Sequence, residues 1–464
     1  MTDAAPRLAA IAETLLGAPV PVRIRAWDGS EAGPATGPVL VIDHRRALRR
    51  ILWKPGELGL ARAWVAGDLT VEGDLFELLD RVGGLLWERE RQHPVPAPVP
   101  VPARSGLGKL AALRPHLPGL GSGPAGTAAL LRDPAARAAV RDLVALARPW
   151  TAPAPPPEEA VRSGGPRHSK RRDSEAISHH YDVGNDFYER VLGPSMVYSC
   201  AYWTEDGTLE DAQRDKLDLV CRKLALEPGQ RLLDVGCGWG SMALHAAREY
   251  GARVTGITLS REQAAYARKR IAGEGLTDRV EIRVQDYRDV KDGPYDAISS
   301  IGMAEHVGSA RYREYAGILH ALLAPGGRLL NHQIGRPPEH DEQAYEIDEF
   351  IDAYVFPDGE LSPIGTTVGE LERAGFEVRD VEALREHYAL TLRAWVARLE
   401  RHWDEAVRLT SPGRARVWLL YMAASALGFE HGRLGVNQVL AVRPGGGGAS
   451  GMPLRTRVWG AGPA

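Results

Sequence analysis

Apolar positions along the chain change period sharply at one place. Leu232-Leu-Asp-Val235 is a short, mostly apolar run that breaks into alternating glycines, Gly236, Gly238 and Gly240. Ser241–Tyr250 then carries its apolar residues at helical spacing. Strand, glycine turn and helix in that order form the nucleotide-binding entry of a doubly wound α/β domain. Further runs read as strands: Arg253–Ser260, Val280–Tyr287, Tyr295–Gly302, Arg328–Gly335 after the turn Pro325-Gly-Gly327, Gly375–Val381 and Val436–Val442. Ser260-Arg-Glu-Gln263 fits a capping box that opens a helix to about Arg270. A long helix is predicted from His387 to about Leu409, another over Leu419–Phe429, and Ile351–Pro357 with Leu361–Ile364 connects strands. The fold class expected is α/β, a doubly wound sheet over roughly 174–445.

Before it, the pattern is that of a smaller mixed α/β region. Val20–Trp27 and Pro38–Ile42 are strand-like, Arg46–Trp53 and Leu75–Leu86 helical, and Leu60–Ala66 is an apolar run closed by Gly67-Asp68. Residues 1–90 are therefore expected to form an accessory domain. His93–Pro102 alternates proline and favours extended polyproline II. A helical segment over Thr127–Ala147 and a second proline stretch, Ala152–Pro157, complete a linker region spanning 91–173. It ends in five cations, Arg162, Arg167, Lys170, Arg171 and Arg172. Such a run is either a solvated linker or a foot on an anionic membrane, where each cation contributes about 1 kcal/mol; the sequence leaves both open. Residues 446–464 are glycine-rich and expected to be flexible.

Composition narrows the function classes. With 44% hydrophobic and 25% charged residues, the chain has the make-up of a soluble globular protein. The N-terminal residues show no secretory pattern and no apolar run is long enough to span a bilayer. Three cysteines, Cys200, Cys221 and Cys237, without C-x-x-C spacing, argue against a disulfide framework and a zinc site, and for a reducing, cytoplasmic compartment. A net charge of −3 gives no global attraction to nucleic acid.

The glycine turn also discriminates among ligands. A dinucleotide fingerprint is G-x-G-x-x-G with an acid about twenty positions on. Here the third glycine comes one residue early, and Arg253–Ser260 ends without an acid. Asp234 before a tight G-x-G-x-G looks instead like the S-adenosylmethionine motif of class I methyltransferases. Asp286 ends the Val280 strand, where such folds place an acid near an adenine. Ser260 and Gln263 have a sufficient structural role in the cap. Ile177–Tyr188 and Met196–Trp203, dense in aromatic and polar residues, read as a cofactor cover, or as a cap helix plus buried strand. Glu305 and His306 lie just past a strand's C-terminal end, while His332 inside an apolar stretch reads by itself as a packing residue.

Seven ordered motifs carry a resemblance over about Ile177–Arg443: His179-His-Tyr-Asp-Val-Gly-Asn-Asp-Phe-Tyr, Tyr198-Ser-Cys-Ala-Tyr-Trp, Leu233-Asp-Val-Gly-Cys-Gly-Trp-Gly, Thr258-Leu-Ser, Glu305-His-Val-Gly, His332-Gln-Ile-Gly and His387-Tyr-Ala-Leu-Thr-Leu. With them the chain resembles the cyclopropane-fatty-acyl-phospholipid synthase family, which includes the mycolic acid cyclopropane synthases. Residues 1–90 resemble, more weakly, the lipid-binding accessory domain of its phospholipid-acting branch. The resemblance implies transfer of a methyl from S-adenosylmethionine to a cis alkene of a phospholipid acyl chain, then proton loss to a bound bicarbonate and ring closure. Its implied bicarbonate site is the Cys200 backbone, Glu305, His332, the Ile334 backbone and Tyr388. Implied cofactor contacts are Tyr198, Ser199, Asp234, Gly236, Gly238, Thr258, Leu259, Ser260, Gln263, Asp286 and Tyr287. Tyr181, Tyr202 and Trp203 are candidates to face the cation. A peripheral membrane location follows, no metal or nucleic acid is implied, and a homodimer is compatible.

One departure concerns the product. Ala304 stands where family members commonly carry a bulky apolar residue, which leaves room for a methyl-branched or methylene product from the same transfer. Three competing classes are a lipid carrier, which has no use for the cofactor and base motifs, a nucleic-acid methyltransferase, which lacks a basic surface, and a small-molecule methyltransferase, which leaves Cys200, Glu305, His332 and Tyr388 without a role.

Overall fold

The computed structural model describes residues 3–92, 133–148, 151–160, 168–170, 172–173, 183–339, 341–342 and 345–454. The chain divides into two compact units. The smaller comprises Met1–Glu159, Asp348–Tyr354 and Pro412–Leu420; the larger comprises Ala160–Ile347, Val355–Ser411 and Tyr421–Ala464.

The smaller unit is built on four strands, β1 (Arg23–Ala26), β2 (Glu31–Ala32), β3 (Val39–Ile42) and β4 (Leu69–Glu72), in the order β2-β1-β3-β4. The expected strand from Val20 begins only at Arg23, since Pro19 and Pro21 have no N–H to give a ladder. The apolar run from Leu60 falls inside a helix, Glu57–Val65, whose Trp64 indole N–H donates to the Arg416 carbonyl at 2.9 Å. The helical segment expected over Thr127–Ala147 is observed as Pro134–Leu146, with the Asp133 side chain accepting from Ala135 N at its start. It packs with the helix Ala4–Leu16 onto a core that includes Leu8, Ile11, Val22, Ile24, Ile42 and Leu48. Asp68, fully buried, is held by Arg46 Nε at 3.0 Å and Arg50 Nε at 2.9 Å, one turn apart on the helix Arg46–Trp53. His93–Pro102 and, of the basic run, Arg162, Arg167 and Arg171 lie outside the described residues.

The larger unit carries a seven-stranded sheet of β5 (Arg231–Val235), β6 (Arg253–Thr258), β7 (Val280–Val284), β8 (Tyr295–Ile301), β9 (Leu323–Gly335), β10 (Glu377–Ala383) and β11 (Gly435–Val442). The order is β10-β11-β9-β8-β5-β6-β7, and β11 runs antiparallel to both its neighbours. The chain winds from β5 out through β6 to β7, then crosses back to β8 on the other side of β5. That reversal opens a crevice at the C-terminal ends of β5 and β8, where doubly wound sheets bind ligands. The two faces are packed separately. Leu232 joins one cluster with Val254, Val280 and Ala297, while Leu233 and Val235 join the other with Ile257, Ile298 and Leu329. Alternation along β5 thus puts Asp234 on the Leu232 side, buried.

Several boundaries differ from the sequence reading. β9 starts at Leu323 and runs through Pro325-Gly-Gly327, its register against β8 shifting between Tyr295 and Ala297. The long helix from His387 is two helices, Arg385–Arg401 and Trp403–Leu409, broken at His402. Met196–Trp203 is irregular rather than a strand, whereas a cap helix is present at Asn185–Leu192. A further helix, Leu209–Leu224, opens on a Thr208–Asp211 capping box and carries an almost wholly buried face. Beyond Pro444, Met452 packs against the core and Arg328 donates to the Gly451 carbonyl at 3.3 Å. Among the described residues no helix is long and apolar enough to cross a membrane.

The glycine turn gives a direct test of this packing. Gly240 has φ of 81°, and a Cβ there would sit 2.9 Å from Ala267 Cβ. Gly240→Ala is expected to cost about 2 kcal/mol or more, from left-handed strain and overpacking together. Gly317, inside the helix Tyr312–Leu322 with open space around it, serves as the contrast. Gly317→Ala is expected to be neutral or to stabilise by about 0.5–1 kcal/mol. Denaturant unfolding of the full chain measures both.

Candidate active site

The crevice holds a cavity entirely within the larger unit. Tyr198, Ser199, Asp234, Gly236, Gly238, Thr258, Leu259, Gln263, Asp286 and Tyr287 all line it, whereas Ser260 does not. The glycine turn that forms its floor is pinned by two N–H groups, of Gly236 and Cys237, which both donate to the Ile257 carbonyl at 3.0 and 2.9 Å. Gly236 and Gly238 have φ of 76° and 52°. A Cβ on Gly236 would stand 3.4 Å from Met303 Sδ, and over Gly238 there is open space. A ligand can thus lie directly on the backbone of the turn.

At the end of β6 the cap is not reciprocal. Ser260 Oγ accepts from Gln263 N at 3.2 Å, but the Gln263 side chain accepts from Thr258 Oγ1 at 2.9 Å instead of returning to Ser260. Thr258 Oγ1 in turn accepts from Ser260 N at 3.2 Å. The sequence spacing suggested a box; the threonine two residues upstream captured the amide oxygen. Thr258 and Gln263 remain at the wall of the cavity, and Ser260 is spent on the helix.

At the end of β7, Asp286 faces the cavity but is gripped by Arg288, whose Nε and second terminal nitrogen donate at 2.8 and 2.6 Å. Burial opposes ionisation of this carboxyl, yet the Arg288 bonds keep it below the usual aspartate range. Arg288 also donates to Asp173 at 2.9 Å, and Asp173 lines the same cavity. Asp173 belongs to a short strap with two more anchors. Arg172 pairs with Asp358, and His168 sits 3.6 Å from Glu360 with Nδ1 3.2 Å from the His306 carbonyl. Sequence reading named none of Arg288, Asp173, His168 or Glu360 as site residues.

The floor itself carries charge. Asp234 accepts from Ser299 Oγ at 2.8 Å through Oδ1, while its buried Oδ2 has no hydrogen-bond partner among the described residues. Burial raises its pKa to about 6. Lys216, on the helix Leu209–Leu224 and 1% exposed, also lines the cavity and donates to Ser199 Oγ at 2.9 Å. Burial lowers its pKa to about 8. Leu209, Ala212, Lys216, Leu217 and Val220 make one apolar stripe at helical spacing, and a lysine at an interior position of such a stripe was the signal available in the sequence.

The residues expected around a base form a second group, off the lining of this cavity. Glu305 lies in the turn of helix Ala304–Val307 at the C-terminal end of β8, and its Oε1 accepts from Ile334 N at 2.7 Å. Glu305 Oε2 is buried without a partner among the described residues, as is His332 Nε2. His332 Nδ1 lies 3.3 Å from Gln438 Nε2 on the neighbouring β11. His332 and Ile334 alternate to the same side of β9. Burial raises the Glu305 carboxyl to about 7 and drives the His332 imidazole well below its ordinary value, so His332 is neutral. Cys200 is buried, its Sγ directed at the Ala201 and Leu384 carbonyls. Tyr388 packs at a tilt against Phe429 at 4.7 Å and stands edge-on to Trp395 at 6.1 Å.

Aromatic rings link the two groups, though not those expected. Tyr202 stacks on His387 at 4.9 Å, the Trp203 indole N–H donates to Thr391 Oγ1, and neither lines the cavity; Tyr181 lies outside the described residues. The linking ring is Tyr198, which lines the cavity, packs at 5.3 Å on Trp395 and at 6.5 Å on Phe356, and shares a 3.3 Å hydroxyl contact with Tyr421. Tyr202 and Trp203 were drawn away because the helix Arg385–Arg401 offers His387 and Thr391 as polar partners. Among the described residues no His, Cys, Asp and Glu cluster could hold a metal ion.

Residues 168–439 match the family described as mycolic acid cyclopropane synthetase. A probable fatty acid methyltransferase of Mycobacterium tuberculosis is 42% identical over 448 residues, 94% of each chain. The cyclopropane-fatty-acyl-phospholipid synthase of Escherichia coli is 38% identical over 277 residues, covering 59% of this chain and 70% of the relative. Among solved structures, mycolic acid cyclopropane synthase CmaA1 complexed with SAH and CTAB superposes with a TM-score of 0.55 at 33% identity, covering 58% of this chain and 97% of its own.

The strap sets a pH dependence. Glu360 raises the His168 pKa, and that contribution to strap closure is complete below about 6.5 and lost as pH rises through the raised value. His168 and Ser309 hold Glu360 down to about 2, so its contribution is present above about 4.5 and lost only in strong acid. Amide-exchange protection at Lys170, Arg172 and Asp173, corrected for intrinsic exchange, is expected to fall as pH rises above neutrality. In His168→Gln the protection should be lower and independent of pH over that range.

Proposed function

The chain belongs to the mycolic acid cyclopropane synthetase family and is an S-adenosylmethionine-dependent methyltransferase, and from that premise we propose that it adds a methylene across the cis double bond of a phospholipid-borne fatty acyl chain. The observation that carries the base chemistry is that Glu305 Oε2 and His332 Nε2 are both buried without a hydrogen-bond partner among the described residues, with Glu305 bonded to the backbone of the strand that carries His332. Buried polar atoms are rarely left unpaired, since each costs about 1–3 kcal/mol. A small oxyanion able to give and accept hydrogen bonds suits a carboxyl and a neutral imidazole together, and bicarbonate is of that class. When bound it would supply a base for the proton lost on ring closure.

S-adenosylmethionine would supply the electrophilic methyl, and its adenosyl part fits the open floor over Gly238. Each remaining role falls to the chain's own residues. Tyr198 stands where the cofactor cavity meets the aromatic wall, so its face and those of Phe356, Trp395 and Tyr388 can shelter the cation that methyl attack leaves on the acyl chain. Ile334 N holds Glu305 in place and is thereby spent on the carboxylate rather than left for an anion. Gln438 orients His332 through Nδ1. A carboxyl brought near neutrality by burial can accept and return a proton as the ring closes.

The sibling reading, a methyl-branched or methylene product, rests on Ala304, 5% exposed beside Glu305, whose small side chain leaves the acyl chain more freedom at the base. The name of the fatty acid methyltransferase relative is consistent with it. An acyl chain carried by phospholipid further implies a peripheral position on the cytoplasmic membrane surface, with the smaller unit presenting the lipid.

Purified protein incubated with S-adenosylmethionine and vesicles of cis-unsaturated phospholipid is expected to yield acyl chains heavier by one CH2 that resist hydrogenation and fragment as rings. A branched or methylene product of the same mass gain selects the sibling reading, and no added carbon overturns both. Glu305→Gln should lower kcat by about 10²–10⁴-fold. Because Glu305 is off the lining of the cofactor cavity, S-adenosylhomocysteine affinity should stay within about twofold of the parent; an equal loss in both would mean that Glu305 is only structural.

A further inference from the structure

Two opposite charges lie buried at the floor of the cofactor cavity without being paired to each other. Lys216 makes no ion pair within 4 Å among the described residues, and its ammonium has three donors of which Ser199 Oγ takes one. Asp234 spends Oδ1 on Ser299 and leaves Oδ2 without a partner among the described residues, although the residue is 2% exposed. Both residues line the same cavity. Burying a charge is tolerated when it is paired and hydrogen-bonded, and an unmatched ammonium and an unmatched carboxylate together are costly. Had the fold needed only a salt bridge here, the two would have closed on one another. Their unspent capacity is instead that of a receptor for a group carrying both charges.

Resting on the S-adenosylmethionine reading above, we propose that Lys216 is a cofactor-binding residue that takes the carboxylate of the ligand's α-amino-acid end, with Asp234 Oδ2 taking its ammonium. The site is thereby selective for a zwitterionic end over a nucleoside thioether alone. Ser199 acts as a positioning residue, holding the lysine against the wall. Gln213, also buried, fixes that segment from the same helix by donating to the Ser199 carbonyl at 2.9 Å. The Cys200 thiol is kept protonated by burial and so does not compete for the ammonium.

Calorimetric binding of two probes to the full chain tests this. S-adenosylhomocysteine carries the amino-acid end, and 5′-methylthioadenosine has the same nucleoside thioether without it. The parent should bind the first more tightly than the second. Lys216→Met should weaken S-adenosylhomocysteine by about 10–100-fold, the range for a charged hydrogen bond, and leave 5′-methylthioadenosine within about twofold. Retained binding of the second probe also reports that the variant is folded. Lys216→Arg should recover part of the preference. Equal losses for both probes, no loss for either, or a parent without preference would each overturn the assignment. A parent that binds neither probe overturns the S-adenosyl reading itself and with it the inference.

Discussion

Everything at the site depends on a shared acceptor: the N–H groups of Gly236 and Cys237 both reach the Ile257 carbonyl at the end of β6. That contact ties the turn after one strand to the tip of the next, so the floor of the cavity cannot move independently of the sheet. The turn needs positive φ at Gly236, Gly238 and Gly240, and the packing against Met303 and Ala267 leaves little space where side chains would project. Rigid backbone on one side then fixes where charge can be placed on the other. Asp234 lies two residues before Gly236 and pairs with Gly256 of β6, and Thr258 follows Ile257 at the tip of that strand.

Much of the fold was legible because period carries it. β5, the helix after it, β8 and β11 fall within a residue or so of the apolar patterns that predicted them, and β10 lies two residues further along than its pattern. Errors arose where local chemistry interrupts periodicity without ending an element. Pro325-Gly-Gly327 reads as a turn, yet the register shift against β8 absorbs it within β9. The helix Leu209–Leu224 escaped notice for the opposite reason: its buried face includes Gln213, Lys216 and Lys223, which disguise the stripe.

At the site, spacing and motif indicated which strand ends would meet, but not how side chains divide their hydrogen bonds. Ten of the eleven residues read as cofactor contacts line one cavity, because all sit in the crevice between β5 and its neighbours or in the segment that covers it. Ser260 does not, since its hydroxyl is consumed by the helix it caps. Arg288 and Asp173 were invisible for a related reason. Arg288 bonds Asp286 two residues away, but it brings Asp173 there through a contact spanning more than a hundred residues, which no local pattern encodes.

The distribution of charge separates the work of the two groups of residues. Around the cavity stand Asp173, Asp234, Asp286, Lys216 and Arg288, suited to a ligand with charges of its own. Burial raises the Glu305 carboxyl toward neutrality, and the neutral His332 imidazole lies beside the Gln438 amide, where the Lys216 and Lys223 ammonium groups also disfavour its protonation. Fixed anions beside a cationic acyl intermediate would stabilise it but also offer it a nucleophile, and water would capture it. Aromatic faces stabilise a cation without bonding to it. On that reading the outcome is set by which proton the base meets first. On the function proposed, product identity is then a question of how the acyl chain lies against Ala304 and Glu305, while the proposed Asp234 and Lys216 contacts would set affinity for the methyl donor.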